Sequence, residues 1–143
     1  MPDFEQPWWL FALLSALFAA LTTIFAKVGV ESIDSNLATA IRTVVISAIA
    51  WGIVLARGQF QALFSISGKT LLFLGLSGFA TGLSWLCYFR ALQLGPASRV
   101  APVDKSGLVL ILLFSVLFLN EPISWKAIGG TLLILSGTLV LIR

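Results

Sequence analysis

The stretch Gly95–Asn120, "GPASRVAPVDKSGLVLILLFSVLFLN", opens with prolines and charges and then becomes an almost unbroken apolar run. The run from Ser106 to Leu119 holds only 14 residues, and at about 1.5 Å per residue it falls short of a hydrocarbon core of about 30 Å. A helix crossing a membrane here has to borrow Asp104, Lys105 and their neighbours. Pro102 then lies in the first turns of that helix, where its fixed φ and missing N–H either start the helix cleanly or bend it. Two placements follow for the charges. In one, Lys105 reaches up to the interface and Asp104 offsets a nearby positive charge. In the other, both face a water-filled cavity among the helices and touch a solute, as intramembrane ionisable groups often do.

The rest of the chain agrees with a membrane setting. Of 143 residues, 59% are hydrophobic and 10% charged, and the mean hydropathy is +1.03; soluble domains carry about 25% charged residues. The net charge of +3 is spread without a basic block, so nucleic acid is not an expected partner. There is no histidine and one cysteine, Cys87, which excludes disulfide frameworks, zinc sites and Ser-His or Cys-His catalytic pairs within the chain. No cofactor or metal is expected.

Five stretches meet or approach the length of a spanning helix, at about 8–26, 35–56, 70–92, 98–119 and 124–142. They predict an all-α, polytopic membrane protein with five transmembrane helices and a single domain over 3–142. The leader "MPDFEQP" is acidic and the run from Trp8 to Ala26 exceeds a typical signal h-region, so the first span reads as a retained helix. Between spans, "KVGVESIDSN", "ARGQFQALFSISGK", "QLGPAS" and "NEPISWK" gather turn and capping residues, with Ser35 or Asn36, Ser98 and Ser124 as expected N-caps. Trp8, Trp9 and Trp125 stand at span ends and suit the headgroup region. Lys27, ending the first span, reads as an anchor that reaches toward the interface.

Arg42 is one to two turns inside the second span, between "LATAI" and "TVVISAIAW". A guanidinium in lipid costs at least a few kcal/mol. Spans two and four enter from the same side, so Arg42 and Asp104 are expected at similar depth and able to pair, as a structural clamp or as part of a solute site. In span three, Trp85 and Tyr88 share a helical face and read as core filler or as an aromatic cavity wall. Gly78 and Gly82 form a GxxxG in "GLSGFATG", and Gly130 and Gly137 lie two turns apart in "GGTLLILSG"; such faces suit close helix packing within the bundle or a subunit contact.

Cations near the span ends are almost balanced. Arg57, Lys69 and Lys126 lie on one side and Lys27, Arg90, Arg99 and Arg143 on the other, with Arg42 and Lys105 beneath the second group. This balance is compatible with insertion in both directions.

The stretch from Tyr88 to Arg143, with "ALQLGPASRVAP", "LNEPIS" and "GGTLLILSG", resembles the second part of an EamA domain of the drug/metabolite transporter superfamily. The earlier "LLSALFAALTTIFAKVGVESIDSNLATAIRTVVI" is similar to that domain's first two helices, and Arg42 falls where the family often places an arginine in its second helix. The resemblance covers nearly the whole chain. It implies one half of an inverted-repeat transporter, like the small five-helix bacterial and archaeal branch, whose larger relatives carry two such domains in opposite orientation. The chain departs from the four-helix multidrug transporters because its first span lacks a carboxylate for drug-proton exchange. The implied function is secondary transport of small polar metabolites, amino-acid-like or sugar-like, across the cell membrane by alternating access, as a homodimer or with an inverted five-helix partner. Arg42, Asp104 and Lys105 would form the polar part of the cavity and Trp85 and Tyr88 an apolar wall, with Asp104 the carboxylate best placed for proton coupling. The rival readings are a non-transporting subunit that scaffolds or regulates a larger complex and, ranked below both, a membrane-embedded enzyme.

Overall fold

The computed structural model describes residues 7–142, and the described residues contain helices and no strands. The elements in order are α1 (Trp8–Gly29), α2 (Ser35–Ala56), a 3₁₀ segment (Gln59–Ser65), α3 (Gly68–Leu94), α4 (Ala97–Lys105), α5 (Gly107–Leu119) and α6 (Trp125–Ile142). The single domain expected over 3–142 begins outside the described residues, as does Arg143 of the charge count.

Among the described residues, four stretches are long and apolar enough to cross a membrane: α1, α2, α3 and the α4–α5 run Ala97–Leu119. The fifth expected span is a shorter apolar helix, Trp125–Leu141. The expected fourth span over 98–119 is interrupted: α4 ends at Lys105 and α5 begins at Gly107.

Pro102 explains how that interruption is accommodated. In a continuous helix the Ser106 N–H would bond to the Pro102 carbonyl; here it donates to the Val103 carbonyl at 3.0 Å. The released Pro102 carbonyl instead faces the Thr138 hydroxyl of α6 at 3.2 Å, a group that also lies 2.9 Å from the Ile134 carbonyl of its own helix. Thr138 is only 4% exposed. A bend in one helix thereby becomes a polar tie to the next, in an environment that punishes unmatched backbone groups.

The helix ends follow local chemistry. Asp34, not Ser35 or Asn36, caps α2: its Oδ1 accepts from the Asn36 and Leu37 N–H groups at 2.8 and 3.3 Å. Ser35 already belongs to the helix and is buried. Pro96, not Ser98, precedes α4, consistent with a residue held extended by its ring. Ser124 does cap α6, accepting from the Ala127 N–H at 3.1 Å. Ser67 does the same for α3 through the Thr70 N–H at 3.1 Å. Asn120 ends α5 with φ 53°, a left-handed conformation that Asn tolerates better than most side chains. Gly58 ends α2 with φ 65°, and the following stretch, expected as a loop, forms the 3₁₀ segment. Phe60 of that segment lies 6.2 Å from Trp51 of α2 and 6.1 Å from Phe64.

By internal contacts the chain forms two units. One is Ala26–Leu94, holding the end of α1 with α2, the 3₁₀ segment and α3; the other combines the described residues before Ala26 with those after Leu94. Within Ala26–Leu94 the buried side chains are Ala26, Val30, Ser35, Ala38, Thr39, Phe89 and Leu92. All belong to one end, where the α1–α2 turn and the start of α2 meet the last turns of α3. Ser35, Ala38, Thr39 and Arg42 are spaced i, i+3, i+4, i+7 on α2, and Trp85, Phe89 and Leu92 i, i+4, i+7 on α3. Small residues on the first stripe let the second approach.

Candidate functional site

Arg42 is the feature that the packed end of Ala26–Leu94 creates. The α2 stripe delivers its side chain to α3, where the guanidinium carbon lies 3.5 Å from the centre of the Trp85 ring and 4.8 Å from that of Phe89. Both distances are well inside the range of about 6 Å over which an aromatic face attracts a cation. Tyr88, one turn from Trp85, is near enough for electrostatic interaction with the guanidinium. Arg42, Trp85 and Tyr88 are half-buried, while Phe89 is 3% exposed.

Of the residues expected to form a site, Arg42 and Trp85 meet here with Tyr88 one turn away, and Phe89, which the sequence reading did not single out, joins them. The spacing of Trp85, Phe89 and Leu92 carried the signal, because residues four apart stack along one helix face. Asp104 and Lys105 belong to the other unit. Their side chains are paired with each other, Nζ to Oδ2 at 3.6 Å, and both are exposed. Within Ala26–Leu94, no carboxylate among the described residues forms an ion pair with Arg42.

A second polar group clamps the end of this unit. Lys27 does not simply reach outward: its Nζ donates to the Leu92 carbonyl at 2.7 Å, supplying one of the acceptor-seeking partners that a helix C-terminus needs. The Gln93 amide Nε2 donates to the Val30 and Ile33 carbonyls at 3.0 and 2.7 Å, and its Oε1 accepts from Arg90 at 3.0 Å. Two side chains, Lys27 and Gln93, thus tie the end of α1 and the α1–α2 turn to the end of α3, and Arg90 steadies the Gln93 amide from within α3. Beside them lie two open grooves, one of about 730 Å³ bordered by Asp34, Asn36, Cys87 and Arg90, and one of about 340 Å³ bordered by Lys27, Glu31, Arg90 and Gln93.

The expected packing glycines are uncommitted. A Cβ built at Gly78, Gly82, Gly130 or Gly137 would meet nothing within 4 Å. Among the described residues, no group of three His, Cys, Asp or Glu side chains is placed to hold a metal ion.

The model of the EamA-like transporter family matches residues 6–143. The chain belongs to that family. It is 55% identical over 137 residues to an uncharacterized transporter in the cobO 3' region of Sinorhizobium sp., covering 96% of this chain and 97% of that one. It is 30% identical over 131 residues to the uncharacterized transporter YvbV of Bacillus subtilis, covering 89% of this chain and 42% of that protein. It is also 29% identical over 133 residues to a Shewanella sediminis protein named Probable 4-amino-4-deoxy-L-arabinose-phosphoundecaprenol flippase subunit ArnF, covering 90% and 82% of the two chains. No solved structure matches it. Family membership and the apolar helices together make this EamA protein a multi-pass membrane protein of a transporter family.

Proposed function

We propose that the chain is one half of a secondary transporter for small polar metabolites, amino-acid-like or sugar-like, that works as a dimer by alternating access in the cell membrane. Arg42 carries this reading: a guanidinium within the second span, held against Trp85 and Phe89, is costly in lipid and is retained where it faces a polar route. In this reading α6 is the fifth span. Its apolar part of about 26 Å sits only slightly short of the hydrocarbon thickness, a mismatch that bilayers absorb at modest cost.

The half-unit idea is supported by the Bacillus relative, of whose length the chain spans 42%. Transporters commonly place their site between two repeats of opposite orientation, and a single five-helix copy supplies half of the wall. The second copy would be another molecule of this chain or an inverted five-helix partner, with the glycine faces of α3 and α6 as candidate contacts. Asp104 and Lys105 would contribute polar groups to the route, and Tyr88 part of its aromatic wall.

A second reading draws on the Shewanella relative, whose name makes it a flippase subunit. There the chain would be a non-transporting subunit that scaffolds or regulates a larger complex.

Reconstitution separates the two. Purified protein in liposomes should take up or release amino-acid-like or sugar-like solutes, whereas the scaffold reading expects no flux without a dissimilar co-purifying partner. Reporter fusions at both termini and disulfide crosslinking between cysteines placed along α6, in a Cys87→Ser background, read orientation and pairing. One fixed orientation together with no partner would reject the dimeric transporter.

A further inference from the structure

Among the described residues, Arg42 brings an unusual combination: a charged side chain inside a span, fixed on an aromatic platform, with none of its N–H groups donating a hydrogen bond. A guanidinium has five such donors in a rigid fork. Trp85 and Phe89 attract its charge but offer no oxygen or nitrogen acceptor; the indole nitrogen is itself a donor. No enclosed side-chain nitrogen or oxygen lacks a hydrogen-bond partner among the described residues, so the unspent donors of Arg42 are reachable from outside the fold. The platform supplies orientation, and the fork supplies chemistry.

We infer that Arg42, positioned by Trp85 and Phe89, is a binding site for an oxyanion, a carboxylate or phosphate group of the transported solute or of a lipid headgroup. The inference deepens the transporter reading and rests on it for the word "transported", while the binding itself does not. Planar carboxylates and phosphates match the fork with two parallel N–H···O bonds, the strongest geometry open to a guanidinium. Because the site is partly withdrawn from water, such a pair gains more than it would at a surface. The aromatic faces hold the cation without neutralising it, as a carboxylate partner would. The solute class narrows accordingly: among amino-acid-like and sugar-like compounds, those carrying an acidic group are favoured over neutral ones.

The test uses Trp85 as its own reporter. In a full-length variant with phenylalanine at Trp8, Trp9, Trp51 and Trp125, the remaining indole lies 3.5 Å from the guanidinium. Its emission is followed in phosphatidylcholine nanodiscs while acetate or inorganic phosphate replaces chloride at constant ionic strength, and separately with phosphatidylglycerol added to the lipid. A saturable change with acetate or phosphate marks a solute oxyanion, and a change with phosphatidylglycerol alone marks a headgroup. Either supports the site if Arg42→Gln weakens the response roughly tenfold or more and Arg42→Lys, which keeps the charge but loses the fork, falls between. Removing a charge from a span does not threaten insertion, and a monodisperse elution profile checks folding. A flat response, or one equal in Arg42→Gln, overturns the inference. Anion binding without flux in liposomes leaves this site standing and removes the transporter; flux of neutral solutes with no anion response does the reverse.

Discussion

Gln93, near the C-terminus of α3, donates to the carbonyls of both Val30 and Ile33, the latter at 2.7 Å across 60 residues of sequence. One amide therefore holds the turn between α1 and α2 in place. Gln93→Glu replaces the donor with an acceptor facing two carbonyls, and Gln93→Leu leaves both carbonyls without this partner. Each is expected to destabilise the protein by about 1–3 kcal/mol, with Gln93→Glu the worse. Thermal unfolding in detergent measures the loss, and amide exchange in residues 30–37 should rise in parallel.

The cation over Trp85 gives a second expectation. Trp85→Phe keeps an aromatic face and Trp85→Ala removes it, so the alanine variant should lose about 0.5–2 kcal/mol and the phenylalanine variant less. In an Arg42→Gln background the difference between the two should shrink, which a double-mutant cycle on unfolding midpoints reads directly.

Thr138 bridges the bend at Pro102 through its hydroxyl at 3.2 Å. Thr138→Val keeps the shape and removes the donor; the expected cost is about 0.5–1.5 kcal/mol. Thr138→Ser should retain most of the stability. Equal melting of the valine variant and the native chain would show that the Pro102 carbonyl finds no benefit in this contact.

Asp34 caps α2 with two backbone N–H groups, so Asp34→Ala should cost about 1 kcal/mol and Asp34→Asn much less. Ser35→Ala, at the neighbouring position first expected to cap, should not reproduce that loss.

The exposed pair Asp104–Lys105 offers a clean separation of stability from function. Neighbouring exposed charges 3.6 Å apart contribute little to folding, so Asp104→Asn should leave the melting temperature unchanged. If Asp104 belongs to the solute route, liposome flux falls in this variant; unchanged flux removes Asp104 from the mechanism.

Much of this architecture was written locally. Apolar runs long enough to cross a bilayer, Pro and Gly at their ends, and Ser124 before α6 are short-range signals, and the expected spans fall on the observed helices to within a few residues. The shifts at Asp34 and Pro96 are equally local: several capping residues stood side by side, and only backbone conformation chose among them. The break at Ser106 was half legible, since Pro102 announced a disturbance without saying where the ladder would reopen. Phe89 was lost among apolar neighbours because span three is hydrophobic on every face, leaving no polar side against which the packed stripe stands out.

The sequence by itself determined that the chain is helical, belongs in a membrane and carries a cation where lipid alone would not welcome one, because hydropathy and helix length are properties of consecutive residues. Only the tertiary structure decided what that cation rests on and which carbonyls Lys27, Gln93 and Thr138 find. Those partners lie on other helices or in the turn between them, and their meeting depends on which small residues let two backbones come close enough for a side chain to reach across.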